Sequence, residues 1–246
     1  MTRPRWSVVI PAFNEARRLP PYLADVVAFF EGRGEAYEVL VIDDGSTDGT
    51  LAAAERAVRG HASVRARRLE PNRGKGAAVR HGMLAAAGAY RLFADADGAT
   101  PIAELKRLEP ALLAGADLVI GSRVLPDPSV SVSAKLHRVA AGRVFSWLVA
   151  RLGLPTVADS QCGFKAFTGP VADDLFRRVR TDGFGFDVEL LLLAQASGYR
   201  MVEVPVNWTD QAGSKVGVLK DGPGMLWQIL VARGRLRKER TWGKRG

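Results

Sequence analysis

Short apolar runs alternate through the first half of the chain with stretches whose apolar residues recur at helical spacing. Ser7-Val8-Val9-Ile10, closed by Pro11 and followed by the polar mouth Ala12-Phe13-Asn14-Glu15, predicts a buried strand. Leu19, Tyr22, Leu23, Val26, Val27 and Phe30 then mark one face of a helix. The unit repeats. A strand over 37–42 ends on Asp43-Asp44, before the turn 45–49 and a helix reaching about residue 59; a strand over 64–69 gives way to the loop 70–76 and a helix carrying Val79, Met83 and Leu84. A fourth strand, 90–94, runs into Asp95-Ala96-Asp97. Leu105, Leu108 and Leu112 mark the helix after it, with Thr100 expected as N-cap and Pro101 at the first helical position. A fifth strand over 117–120 ends at Gly121-Ser122-Arg123.

Strands alternating with helices in this way require right-handed crossovers and a mostly parallel sheet, whose strand carboxyl ends share one ligand-binding edge. On that edge the chain sets Asn14 and Glu15, Asp43 and Asp44, Arg73 and Lys75, Asp95 and Asp97, and Arg123. An isolated Asp-x-Asp is more often a pair of solvated carboxylates. At the end of a strand on this edge it suits a hard divalent cation held by few protein oxygens, which leaves positions for substrate phosphates. Gly74-Lys75-Gly76 opens a helix and offers amides and an ammonium to a pyrophosphate, although such a trio alone is more often a turn. Asp43 and Asp44 are placed to accept from a base or a ribose hydroxyl. Neither Gly-x-x-x-x-Gly-Lys-Ser/Thr nor Gly-x-Gly-x-x-Gly after a strand is present.

The alternation lapses in the Pro/Ser-rich link 126–133. Leu136, Val139, Ala140, Val144, Trp147 and Leu148 predict a helix among Lys135, Arg138, Arg143 and Arg151; it either packs on the main domain or lies on an anionic membrane surface. Residues 159–165 read as a polar turn leading into an apolar stretch. Asp187 and Glu189 then open a leucine-rich helix ending near Gly198, where acids ordinarily just favour the dipole. Val202, Val204, Val206 and Trp208 alternate with Glu203, Pro205 and Asn207, as in a half-exposed or edge strand. From Gly222, Met225, Leu226, Ile229 and Leu230 recur at helical spacing beside Trp227, with Arg233, Arg235, Arg237, Lys238 and Arg240 after them: a second candidate for membrane contact, or a solvated basic tail.

A length of 246 residues with 47% apolar content supports one large domain or a domain plus an appendage, and the net charge of +9 points to an anionic partner. Nucleic acid has only that charge behind it, and the acids on the functional edge weigh against it. With the single cysteine Cys162 no internal disulfide can form, which fits a reducing compartment. Residues 1–5 lack a signal-peptide core, and no run reaches the ~18 apolar residues of a membrane span, so the expected location is cytoplasmic or peripheral. His61, His81 and His137 show no metal-ligand spacing.

Four ordered stretches carry a resemblance: Ser7 to Glu15, Val41 to Thr50, Asn72 to Gly76, and Asp95-Ala96-Asp97 are similar to the motifs of family 2 inverting glycosyltransferases with the GT-A fold. Residues 93–100, 121–123, 159–165, 186–190 and 206–209 further resemble the dolichyl- or polyprenyl-phosphate glucosyltransferase branch. The resemblance covers about residues 6–220. It implies a single GT-A catalytic domain over 1–220, with a donor-binding half at about 6–122 and an acceptor half at about 123–220, followed by a basic amphipathic tail over 221–246.

By the same resemblance, Asp95 and Asp97 hold Mg2+ or Mn2+ against the donor diphosphate; Pro11, Asn14, Glu15 and Asp43 line the nucleotide pocket; and Lys75 sits near the diphosphate. Arg123 and Arg138 fall where polyprenyl-phosphate enzymes bind the acceptor phosphate, and Asp187 falls where relatives that glycosylate hydroxyls carry their general base. There are two departures: Ala99 stands where related mannosyltransferases have a Gln, and the membrane helices many relatives carry are lacking. The implied reaction is inverting transfer of a hexose, UDP-glucose being favoured over GDP-mannose, to a polyprenyl phosphate at the cytoplasmic membrane face. Transfer to a hydroxyl with Asp187 as base and a sugar nucleotidyltransferase remain as alternatives.

Overall fold

The computed structural model describes residues 3–133, 151, 157–211 and 218–242. Seven strands form one sheet: β1 (Trp6–Ala12), β2 (Tyr37–Asp43), β3 (Val64–Arg68), β4 (Tyr90–Ala94), β5 (Leu118–Ser122), β7 (Phe164–Thr168) and β8 (Met201–Pro205). Their spatial order is β3-β2-β1-β4-β7-β5-β8. All pair in parallel except β7, which runs antiparallel to both β4 and β5. A separate two-residue strand β6 (Val132–Ser133), inside the Pro/Ser-rich link, pairs with β9 (Trp208–Thr209).

Among the described residues the main helices are α1 (Leu19–Glu31), α2 (Thr50–Ala57), α3 (Lys75–Ala85), α4 (Leu105–Leu113), α5 (Gly169–Arg178), α6 (Phe186–Ala196) and α7 (Val218–Trp242). Leu19, Leu23 and Val26 of α1, Ala54 of α2 and Leu105, Leu108 and Leu112 of α4 close one face of the sheet. Val79 and Met83 of α3, Phe176 of α5, Leu190 and Leu191 of α6 and Ile229 of α7 close the other. With both faces covered, the central strands are continuous apolar runs, and each fully buried side chain such as Ile10 or Phe93 contributes about 1.5–3 kcal/mol.

Several elements depart from expectation for identifiable reasons. β1 continues through Pro11 to Ala12, because its ladder with β4 ends at Val9–Phe93 and the missing proline N–H lies beyond it. Thr100 is no N-cap: Pro101 flanks a short 3-10 turn, Ile102–Glu104, and the α-helix begins only at Leu105. The helix after β2 ends at Ala57, and β5 starts at Leu118 because the Asp117 carboxylate accepts from Arg200 N–H at 2.9 Å. The antiparallel β7 is not among the strands that the sequence predicts, since its apolar stretch reads only as the sequel to a polar turn. β8 lies at the sheet edge with every residue half-buried, as its alternation implies.

The predicted helix carrying Leu136 to Leu148 lies outside the described residues. α7 starts earlier than Gly222 and divides its apolar residues: Met225, Ile229 and Ala232 are buried, whereas Trp227, Leu230 and Val231 are exposed. Leu230, expected on the face of Met225 and Ile229, therefore belongs to the outward face. No helix among the described residues is long and apolar enough to cross a membrane.

Candidate active site

The mouths of β1 and β2 are joined by side-chain to backbone bonds. Asn14, at φ 52°, is in the left-handed region that asparagine tolerates, and its Oδ1 accepts from Thr47 N–H at 2.8 Å. The amides of Asn14 and Glu15 donate to Ser46 Oγ (2.8 Å) and Thr50 Oγ1 (2.7 Å). Asp43 is fully buried; its Oδ1 accepts from the backbone and hydroxyl of Ser46. Its Oδ2 has no hydrogen-bond partner among the described residues and lies 3.8 Å from Arg68 Nη1. A buried orphan acceptor is costly unless a ligand satisfies it.

Asp44 has a different task. Its two oxygens accept from Arg73 N–H (2.9 Å) and Gly74 N–H (2.7 Å), so it shapes the loop that presents Lys75 and is not left to meet a ribose. Gly74 (φ 105°) and Gly76 press that loop onto the turn before α6: a Cβ on Gly74 would lie 2.6 Å from Asp182 O. Lys75 Nζ then reaches Asp95 Oδ1 at 2.7 Å.

Asp95 follows β4 and is tied to the start of β7, its N–H donating to Gly163 O at 3.0 Å. Asp97 Oδ1 accepts from Ala99 N–H (3.1 Å), and Oδ2 lies 3.9 Å from Arg18, which Glu15 holds with bonds of 2.5 and 2.7 Å. Burial, reinforced by the Asp95 charge, raises the Asp97 pKa. For Lys75 burial opposes the charge, but Asp95 and Asp187 outweigh it and its pKa is raised. Two adjacent hard-oxygen donors, one of them partly desolvated, suit a hard divalent ion. No third carboxylate, His or Cys among the described residues completes a cluster, so such an ion would keep open positions.

Asp187 stands at the start of α6 in a buried ion pair, 2.6 Å from Lys165 Nζ, which also donates to Cys162 O at 2.7 Å and lies 5.2 Å from the Phe93 ring centre. Burial raises the Asp187 pKa, while Lys165 and Lys75 draw it back. Lys165 was visible in sequence only as the end of a polar turn; its place between Phe164 and Ala166 in an apolar stretch was the available signal. Glu189 also does more than favour the helix dipole: it accepts from the amides of Arg180 (3.1 Å) and Thr181 (2.7 Å) and pairs with Arg235 at 2.9 Å.

Arg123 is gripped by Asp159 through Nε and Nη2, both at 2.7 Å, with its amide at 2.9 Å from the same carboxylate and its guanidinium 5.5 Å from the Trp208 ring centre. Arg138 lies outside the described residues. Cys162 is a buried thiol whose pKa burial pushes up to about 12. The edge thus brings together Asn14 and Glu15 with Ser46 and Thr50, and Lys75 with Asp95, while electrostatic coupling of Lys75 to Asp187 and Asp97 joins the remaining acids to them.

A sequence profile described as glycosyl transferase family 2 matches residues 7–176. The chain belongs to this family. Among its relatives, the dolichyl-phosphate beta-glucosyltransferase of Drosophila melanogaster is 40% identical over 223 residues, covering 85% of this chain and 68% of the relative. The enzymes of the same description from Saccharomyces cerevisiae and Homo sapiens are 33% and 36% identical, over 92% and 85% of this chain and 73% and 69% of their own lengths. Glucosyl-3-phosphoglycerate synthase from Mycobacterium tuberculosis, solved with UDP, superposes with a TM-score of 0.68 at 20% identity, covering 94% of this chain and 80% of that one. Its complex with Mn2+ and UDP-glucose gives a TM-score of 0.68 at 21% identity over 94% and 79%. The family 2 chain is therefore a glycosyltransferase with the GT-A fold.

Proposed function

We propose that this family 2 enzyme transfers glucose from UDP-glucose to a dolichyl-type polyprenyl phosphate with inversion. The observation that carries this reading is the 33–40% identity to dolichyl-phosphate beta-glucosyltransferases over 85–92% of the chain. The beta product of an alpha-linked nucleotide sugar corresponds to one displacement. An acceptor phosphate oxygen attacks the anomeric carbon, the bond from that carbon to the diphosphate oxygen breaks, and its electron pair leaves with UDP.

Residues 6–122 serve the donor. Asp43, with its orphan buried oxygen, and the mouth formed by Pro11, Asn14 and Glu15 receive the nucleotide, and the Lys75 ammonium faces the diphosphate. Asp95 and Asp97 would hold Mg2+ or Mn2+, which supplies positive charge to the leaving diphosphate. Residues 123–220 serve the acceptor, where Arg123 and Arg138 meet the phosphate; Nη1 of Arg123 is the nitrogen outside its pair with Asp159. A phosphate monoester with a second pKa of about 6 is already largely dianionic near neutral pH and needs no base. The capture of Asp187 by Lys165 favours this acceptor over a hydroxyl. The exposed Trp227, Leu230 and Val231 of α7, with the basic residues after them, support peripheral attachment to the cytoplasmic membrane face.

The test is incorporation of labelled sugar from UDP-glucose or GDP-mannose into dolichyl phosphate with Mn2+ or Mg2+, with Asp97→Ala as control. Metal-dependent, acid-labile lipid label from UDP-glucose alone is expected. Label from GDP-mannose alone, or none from either donor with folded protein that binds UDP, overturns the assignment.

A further inference from the structure

Each acid of the Asp-x-Asp pair faces a cation of the protein: Asp95 meets Lys75 at 2.7 Å and Asp97 meets Arg18 at 3.9 Å. The two cations are held differently. Arg18 is fixed by Glu15 through two hydrogen bonds, whereas Lys75 extends a flexible four-carbon stem with three rotatable donors. The acids themselves are preset. Asp95 is bonded through its backbone to Gly163 and packed so closely on that glycine that a Cβ there would come within 2.6 Å of Oδ1 and closer still to Oδ2. Asp97 is held by Ala99 N–H at 3.1 Å. A cation approaching this pair must therefore displace an ammonium and cannot wait for the carboxylates to turn away.

We infer that Lys75 is a resident counter-ion that holds the divalent-cation site closed until the donor diphosphate draws its ammonium off Asp95. The proposal rests on the reading that Asp95 and Asp97 hold the metal, and it adds a specific coupling: nucleotide and metal each strengthen the other's binding partly because both need Lys75 to leave Asp95. Asp187 gives the ammonium a second anionic neighbour, and Lys165, 2.6 Å from Asp187, compensates that anion. The loop carrying Lys75 is itself pinned, by Asp44 on one side and by the turn at Thr181 and Asp182 on the other, so the exchange involves the side chain alone.

The test is the binding of Mn2+ alone, followed by electron paramagnetic resonance of the free ion, to the full chain and to Lys75→Met and Lys75→Arg, with thermal melts to check folding. The expected result is that Lys75→Met binds Mn2+ at least about tenfold tighter than the unaltered chain, since an opposite charge at hydrogen-bond distance has been removed from the site. The same variant should bind UDP more weakly without metal, and Lys75→Arg should show no gain in Mn2+ affinity. Lys75→Gln gives the same reading if the methionine variant does not fold. Because coupling is reciprocal, the factor by which UDP tightens Mn2+ binding should shrink in the charge-free variant. Unchanged or weaker Mn2+ binding in folded Lys75→Met and Lys75→Gln overturns the proposal while leaving the metal site standing. Absence of Mn2+ binding by the unaltered chain even with saturating UDP overturns the metal reading itself.

Discussion

Adding a single methyl group at Gly163 tests whether the Asp95 carboxylate must sit where it does. The Gly163 backbone is outside the left-handed region, so alanine is conformationally allowed there and the perturbation is purely steric. The new Cβ would stand 2.6 Å from Asp95 Oδ1 and would overlap Oδ2 and Cγ outright. Ordinary carbon contacts begin near 3.5 Å, so the carboxylate must swing by about 1 Å or more. A displacement of about 1 Å at a catalytic centre costs on the order of 100-fold, or about 2.7 kcal/mol of activation free energy. The stability cost is separate, about 1–3 kcal/mol for overpacking one methyl group. The assay is kcat/KM for sugar transfer at saturating Mn2+, with Mn2+ affinity measured in the presence of UDP and UDP affinity measured without metal. Transfer and metal binding should fall together, while metal-free UDP binding should hold, because Asp43 and the mouth of β1 are untouched. A folded Gly163→Ala protein with kcat/KM within about threefold of the unaltered chain would refute the reasoning.

Asp187→Asn should destabilise the protein by about 3–5 kcal/mol, because Lys165 is left buried and uncompensated, while turnover of the folded fraction on polyprenyl phosphate stays within about tenfold. A loss of a thousandfold or more with the fold intact would make it a base and point to a hydroxyl acceptor. Asp97, whose pKa is raised by burial and by Asp95, binds its proton more readily folded than unfolded. Stability it lends at low pH is therefore lost as pH rises from the ordinary carboxylate value of about 3.9 through the raised one. Asp97→Asn should then melt higher than the unaltered chain at neutral pH in chelator, by a margin that grows as pH rises from the ordinary carboxylate value through the raised one and then levels off, and be inactive; a margin that does not grow over that window contradicts this. Trp227→Glu should abolish flotation with anionic vesicles while changing stability by no more than about 0.5 kcal/mol, since the residue is 68% exposed. Undiminished flotation would exclude this face as the membrane contact.

The parallel half of the fold was legible because each strand announces itself: an apolar run ends at a polar mouth and is followed by helical spacing, as from Val8 to Phe30. The helical start after Asp97 was misread because Thr100 and Pro101 satisfy the local capping rule, whereas the chain first takes one 3-10 turn whose Glu104 carboxylate binds Asn207 at 2.8 Å and not a helix amide. β7 was hidden for a topological reason. Periodicity identifies an apolar strand but not its direction, and the pairing of Phe164 to Thr168 with β4 comes from a part of the chain far from β4 in sequence. Asp95 and Lys75 are nameable from their motifs, but their contact is a product of the β3–α3–β4 crossover. Lys165 is the least legible of these residues: a lysine inside an apolar run is evidence of a buried partner, but nothing local says that the partner is Asp187. Asp44, paired with Asp43 in sequence, separates from it only in space, where one serves a loop and the other keeps an oxygen unspent.

β7 also makes this region intolerant of changes in length. Phe164 and Ala166 join the apolar cluster on one side of the sheet, and Lys165 and Phe167 point to the other, where Asp187 and Phe176 await them. Because side chains alternate with a period of two, deleting or inserting one residue between Asp159 and Phe164 would exchange the two sides. The ammonium would then be driven into the cluster of Val8, Leu92 and Val119, and a phenyl ring would arrive opposite a buried carboxylate. The same slip would draw Gly163 away from Asp95. Point substitutions here can be graded and partly compensated, but a frame change of one residue would disturb the core and the candidate site around Asp95 in the same step.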